Sequence, residues 1–262
     1  MLSASIQGVG VLGPGLTGWP STAQVLSGAD RYQAASTVLP LPSALPAAER
    51  RRAGRVIRLA LAVGAEAVAH GGRDAGGLPS VFTSSGGDGD NCHEICAALA
   101  GRERLISPTR FHNSVHNAAA GYWSIAYGCT EPSVSLCAHD ASFGAGLLEA
   151  LAQVALDARA VLLLAFDADY PPPLRESCRI SDAFGVGLLL APRGSSNALA
   201  TMSVALCRTQ ATALESEELE ALRVSNPAAR SLPLLQQVAQ RRRGSLVLDY
   251  LDTARIAIEI DL

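Results

Sequence analysis

Seven consecutive apolar residues, Ala160 to Phe166, constrain this chain more than any other stretch of it. An unbroken run of that length fits a strand buried on both faces, and such a strand needs helices above and below its sheet. The run falls far short of the ~20 residues that cross a bilayer. On either side of it, strand and helix signals alternate. Residues 3–12 read as a strand closed by Gly13-Pro14-Gly15, and a short helix follows Pro20 and stops near Gly28. Residues 29–45, rich in Pro and Ser, read as a surface loop. The segment 47–70 reads as one amphipathic helix with Val56, Leu59, Val63 and Ala67 on a single face, ended by Gly71-Gly72. A short strand at 81–83 runs into Gly86-Gly87, and Asp90 caps a helix reaching Gly101, with Glu94 in its first turn. Helices over 112–128 and 141–158 flank a strand at 133–138, and further strands follow at 185–190 and 200–206. Beyond 210 the pattern weakens into helices near 216–222 and 232–241, then strands at 245–250 and 254–260. The spacing predicts an α/β layered fold, with 1–210 as the main domain and 211–262 as a short α/β appendage completing it.

Composition removes several function classes. Twenty-one basic residues face 24 acidic ones, a net charge of -3, so there is no basic field for nucleic acid. Every one of the basic residues is arginine. Without lysine, Schiff-base chemistry and the Gly-Lys-Ser/Thr phosphate loop are both excluded. Gly13-Pro14-Gly15 and Gly86-Gly87 do not form a dinucleotide fingerprint and read as turns. The six cysteines are scattered, as expected of reduced thiols, and the first cationic side chain is Arg31, too late for a signal peptide. A cytoplasmic protein that engages neither membrane nor nucleic acid is the expectation.

The chemistry is expected between Ser107 and Asp169. A strand ending at Ala138 and a helix starting by Ala141 leave His139 and Asp140 at the apex of a tight turn. Such an elbow sets one side chain beside a positive helix terminus, which suits a nucleophile or an anion-binding group.

These segments, in this order, resemble the β-ketoacyl synthases, condensing enzymes of the thiolase fold. Ser3-Ala-Ser-Ile-Gln-Gly-Val-Gly-Val-Leu12 is similar to the family's first strand, and Glu49-Arg-Arg-Arg52 to its basic early helix. Ser107-Pro108, Asn113-Ser-Val-His-Asn117 and Gly121 are similar to its dimer-interface helix. Ser133-Val-Ser-Leu-Cys-Ala-His139 is similar to the strand delivering the active-site cysteine, and Asp157-Ala158 to the segment after the nucleophile helix. The resemblance covers roughly 3–210 and implies a thiolase-like α-β-α architecture, essentially the amino-terminal half of a condensing enzyme plus a carboxy-terminal appendage.

Two departures decide what the resemblance implies about function. Counting back from Asp157-Ala158, the family's nucleophilic cysteine falls on His139. The chain is also expected to end where the family's second half begins, and that half supplies two catalytic histidines. No histidine follows position 139. Carbon–carbon bond formation in this family needs the thiolate and those charge-stabilising histidines. The resemblance therefore implies a non-catalytic chain-length factor that pairs with a complete ketosynthase and shapes its acyl tunnel, with substrates carried on an acyl carrier protein and no cofactor. The wording of 89–96 and 139–150 is similar to the version serving aryl polyene and xanthomonadin-like pathways. Two other functions stay open. One is a stand-alone acyltransferase or thioesterase using Cys137 or His139. The other is a homodimeric scaffold that binds carrier protein.

Each candidate residue has a structural reading beside the functional one. His139 either fills the old cysteine pocket or acts as an acid, base or interface group. Cys137, two residues earlier, is expected on the same strand face and is the substitute nucleophile. His112 and His116 are expected at i, i+4 on the interface helix, with Ala119, Ala120 and Trp123 on or near the same stripe. As helix entrance and core they are unremarkable. As tunnel lining, the small alanines admit a chain that His116 or Trp123 stops. Ser133, Ser135 and Cys137 would carry the sheet across the dimer. Cys92, His93 and Cys96 lack the further ligands of a metal site and read as a packed helix face. Asp167 and Asp169 are expected to solvate a strand end and cap a loop.

Overall fold

A computed structural model describes residues 1–262. The apolar run forms β5 (Val161–Asp167), buried at every position. It lies between β3 (Ser80–Thr83), which it pairs in parallel, and β6 (Phe184–Ala191), which it pairs antiparallel with Val161 opposite Leu190. β6 in turn pairs β1 (Leu2–Gly13). Beyond β1 the sheet continues through β7 (Ala200–Cys207), β9 (Ala254–Asp261) and β8 (Gly244–Leu251). β4 (Ser133–Leu136) forms the opposite edge, parallel to β3, and a two-residue β2 (Leu16–Thr17) folds back on β1. The result is one nine-stranded mixed sheet in the order β4-β3-β5-β6-β1-β7-β9-β8.

Helices cover both faces, as continuous burial of β5 requires. One layer holds α3 (Arg55–His70) and α6 (Ala118–Tyr127) over a 24-residue apolar cluster. The other holds α1 (Trp19–Ser27), α7 (Ser142–Asp157), α8 (Glu217–Ser225) and α9 (Leu232–Ala239) over a 37-residue cluster. α3 lies almost in backbone contact with β1 and β6, because a Cβ at Gly8, Gly10 or Gly187 would strike its carbonyls. β1 pairs β7 only as far as Ile6. Past that point its free donors turn to the helix: Val9 N donates to His70 Nδ1 (3.1 Å) and Val11 N to Glu66 Oε2 (2.9 Å). Residues 211–262 add α8, α9 and the β8–β9 hairpin, and Leu219, Leu232, Leu246 and Ile258 join the same cluster as Val9 and Leu147.

Three expected elements differ. The helix expected over 47–70 is two, α2 (Ala47–Arg52) and α3, because Ala53 and Gly54 are extended. A Cβ at Gly54 would lie 2.6 Å from Asp88 Oδ2, so the break admits a neighbouring loop. The helix expected over 112–128 is also two, α5 (Pro108–His112) and α6. Between them Asn113 is buried, donating to Arg52 O (2.9 Å) and accepting from Tyr122 Oη (3.1 Å), and this side-chain pairing competes with helix continuation. Finally, α4 (Gly89–Ala100) is capped by Asp88, which accepts from Asn91 N (3.0 Å), while Asp90 sits in the first turn. No helix is long and apolar enough to cross a membrane.

Candidate functional site

The elbow is longer than expected, five residues in place of two. β4 ends at Leu136, and a single turn of 3-10 helix, His139–Ala141, leads into α7. Ser142 closes the turn, its Oγ accepting from Ala138 N (3.0 Å) and donating to His139 O (2.6 Å). His139 adopts a left-handed φ of 50°, which turns its ring outward. Its side chain is 83% exposed, with Nδ1 3.4 Å from Asp140, so it fills no pocket within this chain. Asp140 is held by Arg230 at 2.9 Å. Because the strand stops at Leu136, strand alternation does not align Cys137 with His139. The exposed Cys137 thiol donates to Ser85 O (3.0 Å).

Beside the elbow, the loop from β3 to α4 is clamped from below. Asp167 Oδ1 accepts from Ser84 Oγ (3.0 Å), Ser85 N (2.7 Å) and Ser85 Oγ (2.7 Å). Far from solvating a strand end, Asp167 is buried, because β5 delivers it beneath this loop. Burial outweighs the hydrogen bonds and pushes its carboxyl up to about 6. Its Oδ2 has no partner, and the facing Ala228 amide is engaged by Asn226 Oδ1 (3.0 Å). Tyr170 packs on Gly86 and Gly89, where any Cβ would collide with its ring or hydroxyl, and burial pushes its phenol up to about 12. Asp169 is occupied by Arg55 (2.6 Å) and Arg175 (3.1 Å).

The residues expected on one helical stripe separate. His112 sits edge-on to Tyr122, ring centroids 6.4 Å apart, whereas His116, in the turn before α6, places Nε2 3.0 Å from Leu136 O. Ala119, Ala120 and Trp123 face the interior, and Trp123 is only 1% exposed. Its indole meets Phe82 and Tyr127 and rests over Gly64, where a Cβ would lie 2.6 Å away. Trp123 is therefore core, because α6 starts at Ala118 and turns its large side chain onto α3. Facing outward instead are Gly121 and Ile125, alongside Phe111 (69% exposed), Val115 and, on α4, Leu99. Phe111 and Val115 separate two cavities of about 610 Å³ and 410 Å³. Cys92 and Cys96 line the smaller one and are exposed, so α4 does not present them to a packed face. Burial and the Cys96 thiol raise the Cys92 pKa. On β4, Val134 and Leu136 turn to the core, Ser133 is exposed, and Ser135 Oγ is buried without a partner. Sequence reasoning missed the clamp at Asp167 and the exposed apolar group. The first joins residues 82 positions apart, and the second gathers side chains from α4, α5, α6 and the turn before α6.

A layered mixed sheet with a strand-to-helix elbow at its edge is a thiolase-like architecture. Residues 22–250 match the family described as beta-ketoacyl synthase, N-terminal domain, and the chain belongs to that family. Among curated proteins, none matches. Several solved structures share the fold. One is the ketosynthase (ApeO) in complex with its chain length factor (ApeC) from Xenorhabdus doucetiae, with a TM-score of 0.74, 23% identity, and coverage of 99% of this chain and 100% of that one. The ishigamide ketosynthase/chain length factor gives a TM-score of 0.74 at 15% identity, covering 100% and 99%. The AntDE:AntF complex, a type II acyl-carrier protein with its hexaketide-bound ketosynthase, gives 0.73 at 12% identity, covering 99% of each chain.

Proposed function

We propose that this chain is the non-catalytic, chain-length-factor-like subunit of a ketosynthase heterodimer in a type II, aryl-polyene-like pathway. The observation that carries the reading is the elbow itself. Where the family resemblance places the nucleophilic cysteine stands His139, solvent-facing. Two other histidines are already engaged, His70 with Val9 and His116 with the Leu136 carbonyl. The nearby Cys137 thiol is hydrogen-bonded to a backbone carbonyl, a contact that does not activate it. The surface beside the elbow supports the partner half of the reading. β4 is an edge strand with its outer side unpaired, and next to it Phe111, Val115, Ile125 and Leu99 form an exposed apolar group. Such a group beside an open sheet edge marks a protein interface. A complete ketosynthase seated there would extend the sheet through Ser133–Leu136 and wall its acyl tunnel with the groove between Ile95, Leu99, Phe111 and Val115. The growing chain would arrive as a thioester on an acyl carrier protein.

Mass spectrometry tests this after incubation with malonyl- and acyl-loaded carrier protein, with and without a co-expressed ketosynthase. Acyl mass on the partner alone, with long products formed only when both chains are present, is the expected result. Label on this chain by itself, lost in Cys137→Ala, would overturn the proposal in favour of a stand-alone acyltransferase or thioesterase. A soluble homodimer that leaves a co-expressed ketosynthase unbound would point to the scaffold reading.

A further inference from the structure

A separate cavity of about 300 Å³ opens against the elbow and shares no lining residue with the apolar groove. Its walls come from the elbow, the segment after the 3-10 turn Leu174–Glu176 and the carboxy-terminal end of α8, with Ser85 and Tyr170 completing them. Its polar equipment is one-sided. Arg179 lines it and forms no ion pair or hydrogen bond within the chain. The Ser177 and Tyr170 hydroxyls and the outward His139 ring add groups able to donate. Asp140, the one carboxylate on the rim, is neutralised by Arg230 at 2.9 Å. Ile180, Val224 and Pro227 supply an apolar wall. An unpaired guanidinium among hydroxyl donors, with the single lining carboxylate already paired, is matched by an oxyanion, because charge-assisted hydrogen bonds are the strongest this donor set can form. The wall leaves room for a short hydrocarbon stem.

We propose that this cleft binds a small organic oxyanion, a carboxylate or phosphate on a short apolar stem, with Arg179 as its counter-ion. The site belongs to this chain alone and stands whether or not a ketosynthase binds elsewhere.

Titration of the full chain by NMR or calorimetry at low ionic strength, where an exposed ion pair is least screened, tests the site. The probes are butyrate, butyl phosphate, inorganic phosphate and butanol. Saturable binding of butyrate or butyl phosphate, with none of butanol, is expected, and the tighter of the two identifies the head group. Arg179→Gln should weaken that binding by about tenfold or more. Val224→Asp, which sets a carboxylate in the wall from an exposed position, should abolish it, whereas Val224→Asn should retain it. No saturable binding of either stemmed anion, or equal binding in Arg179→Gln, overturns the proposal. A preference for inorganic phosphate that survives Val224→Asp also overturns it, since that is a diffuse surface effect.

Discussion

Asp167 holds Ser85 twice, its Oδ1 accepting from the backbone N–H and from the side-chain hydroxyl, each at 2.7 Å. This one carboxyl oxygen fixes the loop that runs past the elbow, and Asp167→Ala leaves its donors without an acceptor. A loss of about 2–3 kcal/mol in unfolding free energy is expected by urea denaturation.

The same residue sets a pH dependence. Its folded-state pKa, raised by burial from 3.8 to about 6, exceeds the unfolded one, so the stability linked to its proton is present below pH 4 and lost as pH rises through 6. The span corresponds to about 3 kcal/mol. Denaturation across this range should show the fall in the wild type and a flatter profile in Asp167→Asn. Equal slopes would contradict the assignment.

Trp123 and Gly64 interlock, so both substitutions act on the core. Trp123→Ala should cost about 3–5 kcal/mol through the cavity it leaves. Gly64→Ala should cost about 1–3 kcal/mol by overpacking, since its Cβ would also lie 2.6 Å from Leu164. A lowered thermal midpoint with unchanged product length in the co-expressed pair would separate this role from tunnel lining.

Arg223 is nearly buried, bonded to both Glu220 oxygens (2.7 and 2.6 Å) and to Asp249. Its partner Glu220 is held below the usual carboxylate range by that guanidinium. Arg223→Ala leaves Glu220 without its cation and Asp249 with only Arg255 at 3.5 Å, and should destabilise by about 3 kcal/mol. The readout is the denaturation midpoint, with Asp249→Asn expected to restore part of the loss.

Phe111 tests the interface without touching the core. Phe111→Glu should abolish co-purification with a ketosynthase partner while changing the isolated chain's stability by no more than about 0.5 kcal/mol. Retained co-purification would place the partner elsewhere.

Local pattern was enough for the elements whose burial is uniform. β5 and β6 are hydrophobic at nearly every position, and no arrangement except a sheet covered on both faces hides them. Strand-to-helix spacing likewise located the elbow near His139. Where the reading failed, distant residues had intervened. Asn113 turns the chain because Arg52 and Tyr122 offer it partners, and no window around 112–128 contains Arg52.

By itself, then, the sequence determined the layered α/β class, the elbow and the arginine-only chemistry, since each follows from residue type and near-neighbour spacing. The facing of side chains was decided only in the folded molecule. Trp123 points inward because Gly64 leaves space for it, Asp167 keeps a proton up to about pH 6 because β5 buries it beneath the loop, and Phe111 lies exposed on α5 next to the outward face of α6. Burial depends on contacts between residues far apart in the chain, and periodicity along the chain does not encode them.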